Sequence, residues 1–242
     1  MNIKVIIPTY NEAENLPRMV EALFGLGLPE LSILIVDDNS PDGTGEIADR
    51  LSRETHQRVE VMHRAGKLGL GTAYIQGFKH CLAQNVDAIV QMDADFSHPP
   101  EKVKELADLI QTCDVAVGSR YIPGGKLDER WPFWRKALSS FGNFYARTIL
   151  GTPVSDMTGG FRIWRRQTLE AMPLDGVRSN GYVFQVEMIY VAHRLGFKIK
   201  ETPIYFADRR WGHSKMSLRI QVEAAFRTWK LPGMYRQLKP IK

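Results

Sequence analysis

The chain has 242 residues, 44% hydrophobic and 24% charged, and carries a formal net charge of +5 with a pI near 9.2. That much apolar material makes a packed core and excludes a disordered chain, and the length suits one large α/β domain. No apolar run approaches the ~20 residues that cross a bilayer, while Cys81 and Cys113, far apart and without a CxxC, fit reduced cytosolic thiols rather than a disulfide framework.

In chain order, the opening run Ile3-Lys4-Val5-Ile6-Ile7 is too short for a signal-peptide core and reads as a buried strand from Lys4 to Ile7, halted by Pro8. The polar loop Thr9 to Asn15 leads to an amphipathic helix with Leu16, Met19, Val20 and Leu23 on one face. A strand from Ser32 to Val36 ends in a dense acidic turn, Asp37-Asp38-Asn39-Ser40-Pro41-Asp42-Gly43-Thr44, before a helix near Gly45 to Leu51. Val59 to His63 is a third strand, and Lys67-Leu68-Gly69-Leu70-Gly71-Thr72 opens a helix through Leu82. A fourth strand at Ala88 to Met92, a helix at Glu101 to Ile110 and a strand at Val115 to Gly118 complete the rhythm. Strands alternating with helices across short loops predict a mostly parallel sheet covered on both faces.

The fourth strand carries Asp93 and Asp95 at its carboxyl end, followed by Phe96-Ser97-His98-Pro99-Pro100. Two carboxylates so close repel unless something positive sits between them. Hard oxygen ligands at a strand mouth suit Mg²⁺ or Mn²⁺, whose remaining ligands come from water and substrate phosphates. The plain alternative is a solvated turn opening a helix at the prolines. After the first strand there is no G-x-G-x-x-G, and no G-x-x-x-x-G-K-[ST] occurs anywhere. The sheet's carboxyl edge instead gathers Glu12, Asp37, Asp38, Asp42, Asp93 and Asp95. Carboxylates accept hydrogen bonds from ribose or base, and they hold a metal that bridges a diphosphate. That constellation predicts a nucleotide-diphosphate substrate without a Walker loop.

Eight blocks now fall into order. They are Pro8-Thr9-Tyr10-Asn11-Glu12, Val36 to Thr44, Lys67 to Gly71, Met92 to Pro100, Gly118-Ser119-Arg120-Tyr121, Asp156 to Arg162, Gly181 to Met188, and Asp208 to Lys215. In this order, over nearly the full length, the chain resembles family 2 glycosyltransferases of the GT-A fold, and within them the dolichol-phosphate (polyprenyl-phosphate) mannose synthases. The resemblance implies a donor site made by Pro8, Tyr10, Glu12, Val36 and Asp38, with Asp93, Ala94 and Asp95 at the diphosphate, Arg209 reaching it and Lys215 on the diphosphate or the acceptor side. It implies Mg²⁺ or Mn²⁺ on Asp93 and Asp95, with Ser97 as third protein contact. Some relatives have glutamine at the position of Ser97, and serine is a shorter and weaker ligand. It carries Arg120, Arg135, Ser139 and Arg209 onto the acceptor phosphate, and makes Asp93, Asp95, Arg120 and Arg209 the catalytic set. It divides a single GT-A domain, 1–242, into a nucleotide-sugar half (1–121), an acceptor half (122–217) and a basic amphipathic helix and tail (218–242).

Beyond Tyr121 the pattern is less regular. Trp131, Phe133 and Trp134 stand among Arg130, Arg135 and Lys136, ahead of a helix carrying Leu138, Phe141, Phe144, Tyr145 and Ile149. Aromatics among cations serve base stacking, lipid headgroups or an ordinary core; because three large rings in four residues are hard to bury at a loop, we expect them to face a membrane. Asp156 either hydrogen-bonds sugar hydroxyls or holds its glycine turn. For Glu187 a cap or an arginine-orienting partner is expected over a catalytic base. His56, His63, His80 and His193 read as surface or helix-face residues, His98 as a neighbour of the metal, and the Ala207 to Ser217 loop with His213 as a closure over the donor.

From Lys215 to Lys242 seven basic residues stand against Glu223 alone, which asks for an anionic partner. Leu218, Val222, Ala225, Phe226 and Trp229 line one helical face there, fit either to dock on the sheet or to lie on a membrane. The expected protein is thus a cytoplasmic, peripheral membrane enzyme moving mannose from GDP-mannose to a polyprenyl or dolichyl phosphate, with no nucleic-acid partner. Rival expectations are UDP-glucose onto the same lipid, a saccharide-hydroxyl acceptor with Glu187 or Asp156 as base, and a basic nucleic-acid-binding protein.

Overall fold

The structure, a computed structural model, describes residues 1–208 and 218–241, with the backbone alone for 218–223. The elements run β1 (Ile3–Thr9), α1 (Leu16–Phe24), β2 (Leu31–Asp37), α2 (Thr44–Glu54), β3 (Val59–His63), α3 (Leu70–Leu82), β4 (Ala88–Gln91), α4 (Lys102–Leu109) and β5 (Val115–Ser119). Then come β6 (Lys126–Leu127), α5 (Phe133–Leu150), β7 (Arg162–Arg165), α6 (Arg166–Ala171), α7 (Gly181–Arg194), β8 (Ile199–Pro203), β9 (Tyr205–Phe206) and α8 (Leu218–Met234). Seven strands form one sheet in the order β3-β2-β1-β4-β7-β5-β8, and β6 pairs with β9 alongside.

The sheet is mostly parallel, as the alternation predicts, with one exception. β7 runs antiparallel between β4 and β5. It starts at Arg162, the last residue of the Asp156 to Arg162 block, and its four residues, Arg162–Arg165, are too few to show a period behind that block's glycines. Pro8 does not halt β1, which runs on to Thr9 with Pro8 opposite Val36. The reason is local: pairing with β4 ends at Ile6, so the missing N–H of Pro8 deprives no neighbour on that side.

Alternation along the strands divides the apolar residues between two cores. Ile6, Leu34, Val36, Ile89 and Val117 face a core built with α3, α7 and the end of α5. Val5, Ile7, Ile33, Ile35, Val90 and Ala116 face one built with α1 and α4. Both cysteines are buried free thiols, and burial pushes Cys81 up to about 12, so it is inert.

The tail belongs to the first core. Leu231 and Tyr235 are buried in it, and the Tyr235 hydroxyl donates to Glu187 Oε1 at 2.6 Å. Glu187, wholly buried, also accepts from Ser179 N at 3.0 Å. It is therefore neither a helix cap nor an arginine partner but a tie between α7, the preceding loop and the chain's end. Tyr235→Phe leaves that carboxylate one donor short, and we expect a loss of about 1–3 kcal/mol in urea unfolding at unchanged m-value.

Candidate active site

The strand order sets the location. β1 sends its chain to β2 on one side, while β4 lies on its other side, so the crevice between β1 and β4 is a switch point at the carboxyl ends. The loops after β1, β2 and β4 bring Tyr10, Glu12, Asp38, Asp93 and Asp95 to this edge. Val36 and Ala94 are buried beneath it.

Two of the six edge carboxylates are spent on the loops themselves. Asp37 accepts from Thr9 Oγ1 at 3.0 Å and from Ser40 Oγ at 2.6 Å. Asp42 accepts from Thr44 Oγ1 at 2.6 Å and from Ala13 N at 3.1 Å, which holds its carboxyl below the usual range against the opposing pull of burial. These residues shape the crevice instead of lining it. Asn11 and Asn39 take φ of 63° and 55°, a conformation asparagine tolerates, and so turn both loops sharply.

Asp38 is ion-paired with Arg64, whose guanidinium also donates to Thr72 Oγ1. Burial pushes the Asp38 carboxyl up from its ordinary value although Arg64 pulls it down. The Tyr10 ring lies under Lys67 Nζ, 3.8 Å from its centroid, and Glu12 accepts from Asn15 Nδ2 at 2.7 Å. Arg64 escaped the sequence reading, although a cation one residue past a strand end was a usable signal.

The Asp93-Ala94-Asp95 segment is held from three sides. Asp93 N donates to His98 Nδ1 at 3.0 Å, and Tyr74 Oη donates to Met92 O at 3.1 Å and Asp93 Oδ1 at 3.3 Å. Burial lowers His98 although Asp93 and Asp95 raise it; its Nδ1 acts as acceptor, so the ring is neutral. Phe96 has φ of 60°, strained for an aromatic residue, and this folds Ser97 back so that its N and Oγ donate to Asp95 Oδ1 at 3.0 and 2.6 Å. Ser97 thus sits in direct hydrogen-bond contact with Asp95.

The donor set fits a divalent cation. Asp93 and Asp95 offer hard oxygens, and among the described residues no group of three or more His, Cys, Asp or Glu gathers at metal range. A cation completed by substrate phosphate and water needs no more.

On the other side, Arg120 and Asp156 are both buried and bidentate, with Nε and Nη2 each 2.7 Å from the carboxylate. Gly159 N and Arg120 N complete Asp156. Burial opposes both charges, but each partner holds the other ionised, Asp156 below and Arg120 above the ordinary value. Asp156 therefore holds its turn. Beneath lies Arg162, wholly buried on the carbonyls of Gln185 and Met157 and brought down to about 9 by burial.

Ser139 accepts from the Tyr121 hydroxyl at 2.6 Å, and Arg135 stacks over Trp131 at 3.5 Å and reaches Asp208. Trp131 is not a membrane-facing residue: it is buried, edge-on to Phe206, with its Nε1 donating to Asp208 Oδ1 at 3.1 Å. Asp208 offers the polar partner that lets a loop tryptophan go inside. Phe133 and Trp134 do stay exposed. Phe206 is the hub that sequence reasoning missed, touching His98, Trp131 and Arg120 at ring-centroid distances of 5.6, 5.8 and 5.1 Å. It joins the aspartate pair to the arginine side, and a two-residue strand gives no periodic signal. Arg209, Lys215 and most of the 207–217 loop lie outside the described residues.

Residues 4–172 match the profile described as Glycosyl transferase family 2. The chain is 46% identical over 232 residues to a polyprenol monophosphomannose synthase of Mycolicibacterium smegmatis, covering 95% of this chain and 87% of the relative. It is 45% identical over 241 residues to an undecaprenyl-phosphate mannosyltransferase of Micrococcus luteus, covering 99% and 98%. Among solved structures it resembles glucosyl-3-phosphoglycerate synthase of Mycobacterium tuberculosis, crystallised with Mn²⁺, UDP and glucosyl-3-phosphoglycerate, at a TM-score of 0.65 and 19% identity over 96% of this chain and 79% of that one. That likeness establishes the GT-A fold.

Proposed function

The chain belongs to glycosyl transferase family 2, and from that membership we propose that it transfers mannose from GDP-mannose to a polyprenyl phosphate such as dolichyl phosphate, inverting C1. In this reading Pro8, Tyr10, Glu12, Val36, Asp38 and Ala94 surround the nucleotide, with Arg209 and Lys215 on its diphosphate. Asp93 and Asp95, steadied by Ser97, would hold Mg²⁺ or Mn²⁺, which when bound neutralises the leaving diphosphate. Arg120, Arg135, Ser139 and Arg209 receive the acceptor phosphate. The enzyme works peripherally at the cytoplasmic face of a membrane; among the described residues no helix is long and apolar enough to cross one.

One observation carries the choice of acceptor. Asp156 and Glu187, the two candidate bases, are wholly buried, the first locked on Arg120 and the second on Ser179 and Tyr235. A sugar hydroxyl needs a base to take its proton. A polyprenyl monophosphate does not: its second pKa is about 6, so at neutral pH its oxygen is already an anion. What it needs is cations that bring it to an anionic donor, and Arg120 and Arg135 supply them.

The test is a panel of nucleotide sugars and acceptors with transfer measured directly. GDP-mannose with a short soluble prenyl phosphate should react, and UDP-glucose or a saccharide acceptor should not. Arg135→Ala should raise the acceptor KM by roughly 10-fold or more, the worth of a charge-assisted hydrogen bond, with the donor KM unchanged. A collapse of donor affinity instead would put Arg135 on the wrong substrate. Glu187→Gln keeps its shape but cannot act as a base, and it should retain kcat within about threefold, since general base catalysis contributes 100-fold or more. A 100-fold loss in a folded variant would revive the hydroxyl-directed reading.

A further inference from the structure

Two glutamines are buried beneath the crevice, and chemistry fixes which way each amide points. Gln91 ends β4 and Gln185 lies in the second turn of α7; they are 0 and 3% exposed. The Trp164 indole can only donate, and its Nε1 donates to Gln91 Oε1 at 3.2 Å. The amide nitrogen of Gln91 is therefore at the other end, where it donates to Gln185 Oε1 at 2.6 Å. That leaves Gln185 Nε2, with its two hydrogens, as the end of the chain. It has no hydrogen-bond partner among the described residues. Nor is it one of the sealed, unpartnered atoms of the interior, which are Asn15 Oδ1, Arg64 Nε, Arg162 Nε and Arg194 Nε. It opens on the crevice.

Gly160 shows where. A β-carbon there would stand 3.2 Å from Gln185 Nε2 and 3.3 Å from His98 Cε1. Gly160 is not among the glycines with positive φ, so space and not backbone conformation asks for glycine at this point. The amide is also held from behind, because Arg162 Nη1 donates to the Gln185 carbonyl at 2.7 Å. Buried polar groups are nearly always paired, so a donor fixed on two sides and left open on the third points to an oxygen that arrives. The neighbours say which. His98 accepts from Asp93 N, so one wall of the gap belongs to the aspartate pair. Gly160 follows Gly159, whose N donates to Asp156, the counter-charge of Arg120. In the reading above the leaving diphosphate belongs to the first wall and the attacking phosphate to the second. Between them lies the hexose, and an uncharged amide suits its uncharged hydroxyls, while phosphates go to cations.

We propose that Gln185 is a specificity-determining residue, its Nε2 donating to a hydroxyl oxygen of the transferred hexose across the gap that Gly160 leaves. The inference deepens the mannosyl-transfer reading and rests on it for the sugar. A site built to hydrogen-bond a hydroxyl rejects the analogue that lacks it, since its own donor is then left unpaired. The Trp164–Gln91–Gln185 chain has this use: it sets the donor end of a side chain that could otherwise turn over.

The experiment measures kcat/KM of the full chain for GDP-mannose and for its 2-, 3-, 4- and 6-deoxy analogues, with a short soluble prenyl phosphate as acceptor. Wild type, Gln185→Met and Gly160→Ala are compared, beside calorimetric binding of GDP with Mn²⁺. Gln185→Met should lose roughly 10-fold on GDP-mannose, the worth of a hydrogen bond, and nothing on the one analogue that lacks the hydroxyl Gln185 reads. Gly160→Ala, whose methyl enters the gap, should lose at least as much on GDP-mannose. Both variants should bind GDP with Mn²⁺ as wild type does, because GDP carries no sugar. If Gln185 merely braces Gln91, all five donors fall by one common factor in Gln185→Met, and the proposal is overturned. It is overturned too if GDP binding falls along with transfer, or if Gln185→Met keeps wild-type kcat/KM, in which case the amide holds only water. Should Gln185→Met fail to fold, Gly160→Ala decides: an unchanged kcat/KM for GDP-mannose leaves the gap without a sugar. Failure of the mannosyl reading is separate. Wild type then turns over another nucleotide sugar, and the same comparison is read on that sugar's deoxy analogues.

Discussion

Asp95→Ala is expected to lower transfer by about 1,000-fold or more, because a diphosphate leaving group without its counter-charge loses the largest electrostatic contribution the site offers. The side chain is buried, and Ser97 donates to it twice across the strained Phe96. Alanine therefore removes both a cation ligand and the anchor that justifies the left-handed turn. Asp95→Asn separates the two effects, keeping an oxygen for Ser97 while discarding the charge. The measurement that isolates the charge is not turnover but binding: Mn²⁺ titrated calorimetrically into protein with GDP, and thermal stabilisation by GDP with and without Mn²⁺. In both variants the Mn²⁺-dependent part should vanish, with far-UV circular dichroism unchanged. Full activity in EDTA, or metal-linked nucleotide binding surviving in Asp95→Asn, would remove the aspartate pair from the metal.

What the sequence made legible follows from physics that is local. Strands β1 to β5 announce themselves because each is a short apolar run bounded by turn residues, and their alternation with helices leaves a mostly parallel sheet as the economical arrangement. The carboxylate-bearing edge follows from that alternation, since every β-to-α loop opens on the same side. Pairing lies beyond reach of pattern reading. Nothing in Arg162-Ile163-Trp164-Arg165 tells that these four residues enter the sheet antiparallel between β4 and β5. Nor does the turn Asp37 to Thr44 say which of its three aspartates is used up by Ser40 and Thr44 hydroxyls. Trp131 shows the same limit from the other side. A loop aromatic goes inside when a distant residue, here Asp208, satisfies its N–H. For α8 the apolar periodicity was visible, but the face that docks is Thr228, Leu231 and Tyr235, and the larger rings of Phe226 and Trp229 turn outward.

The largest effect on stability is expected at Asp156. Both members of the Arg120–Asp156 pair are buried, and Asp156→Ala leaves a guanidinium with no counter-charge, a change that typically costs about 3–5 kcal/mol. The acid limb checks the cause. Unfolded, Asp156 takes up a proton near its ordinary pKa of about 3.9; folded, Arg120 holds it lower, against burial. The native state thus binds fewer protons across that interval, so the stability this group contributes is complete above the unfolded value and is lost as pH falls through the folded one. Urea midpoints of wild type should fall with acid below about pH 4, and Asp156→Ala should lack this part of the fall. The double variant Arg120→Met, Asp156→Leu removes both charges together, and it should be more stable than either single variant, because each single variant leaves an orphan ion behind and the double variant leaves none. Transfer decides what Arg120 does. If it only pairs with Asp156, the stable double variant should recover activity along with its fold. If its guanidinium also receives the acceptor phosphate, the double variant should fold, bind donor with unchanged affinity, and still show an acceptor KM raised by roughly 10-fold or more. We expect the second outcome, and an acceptor KM like that of wild type in the folded double variant would reduce Arg120 to a brace for the Asp156 turn.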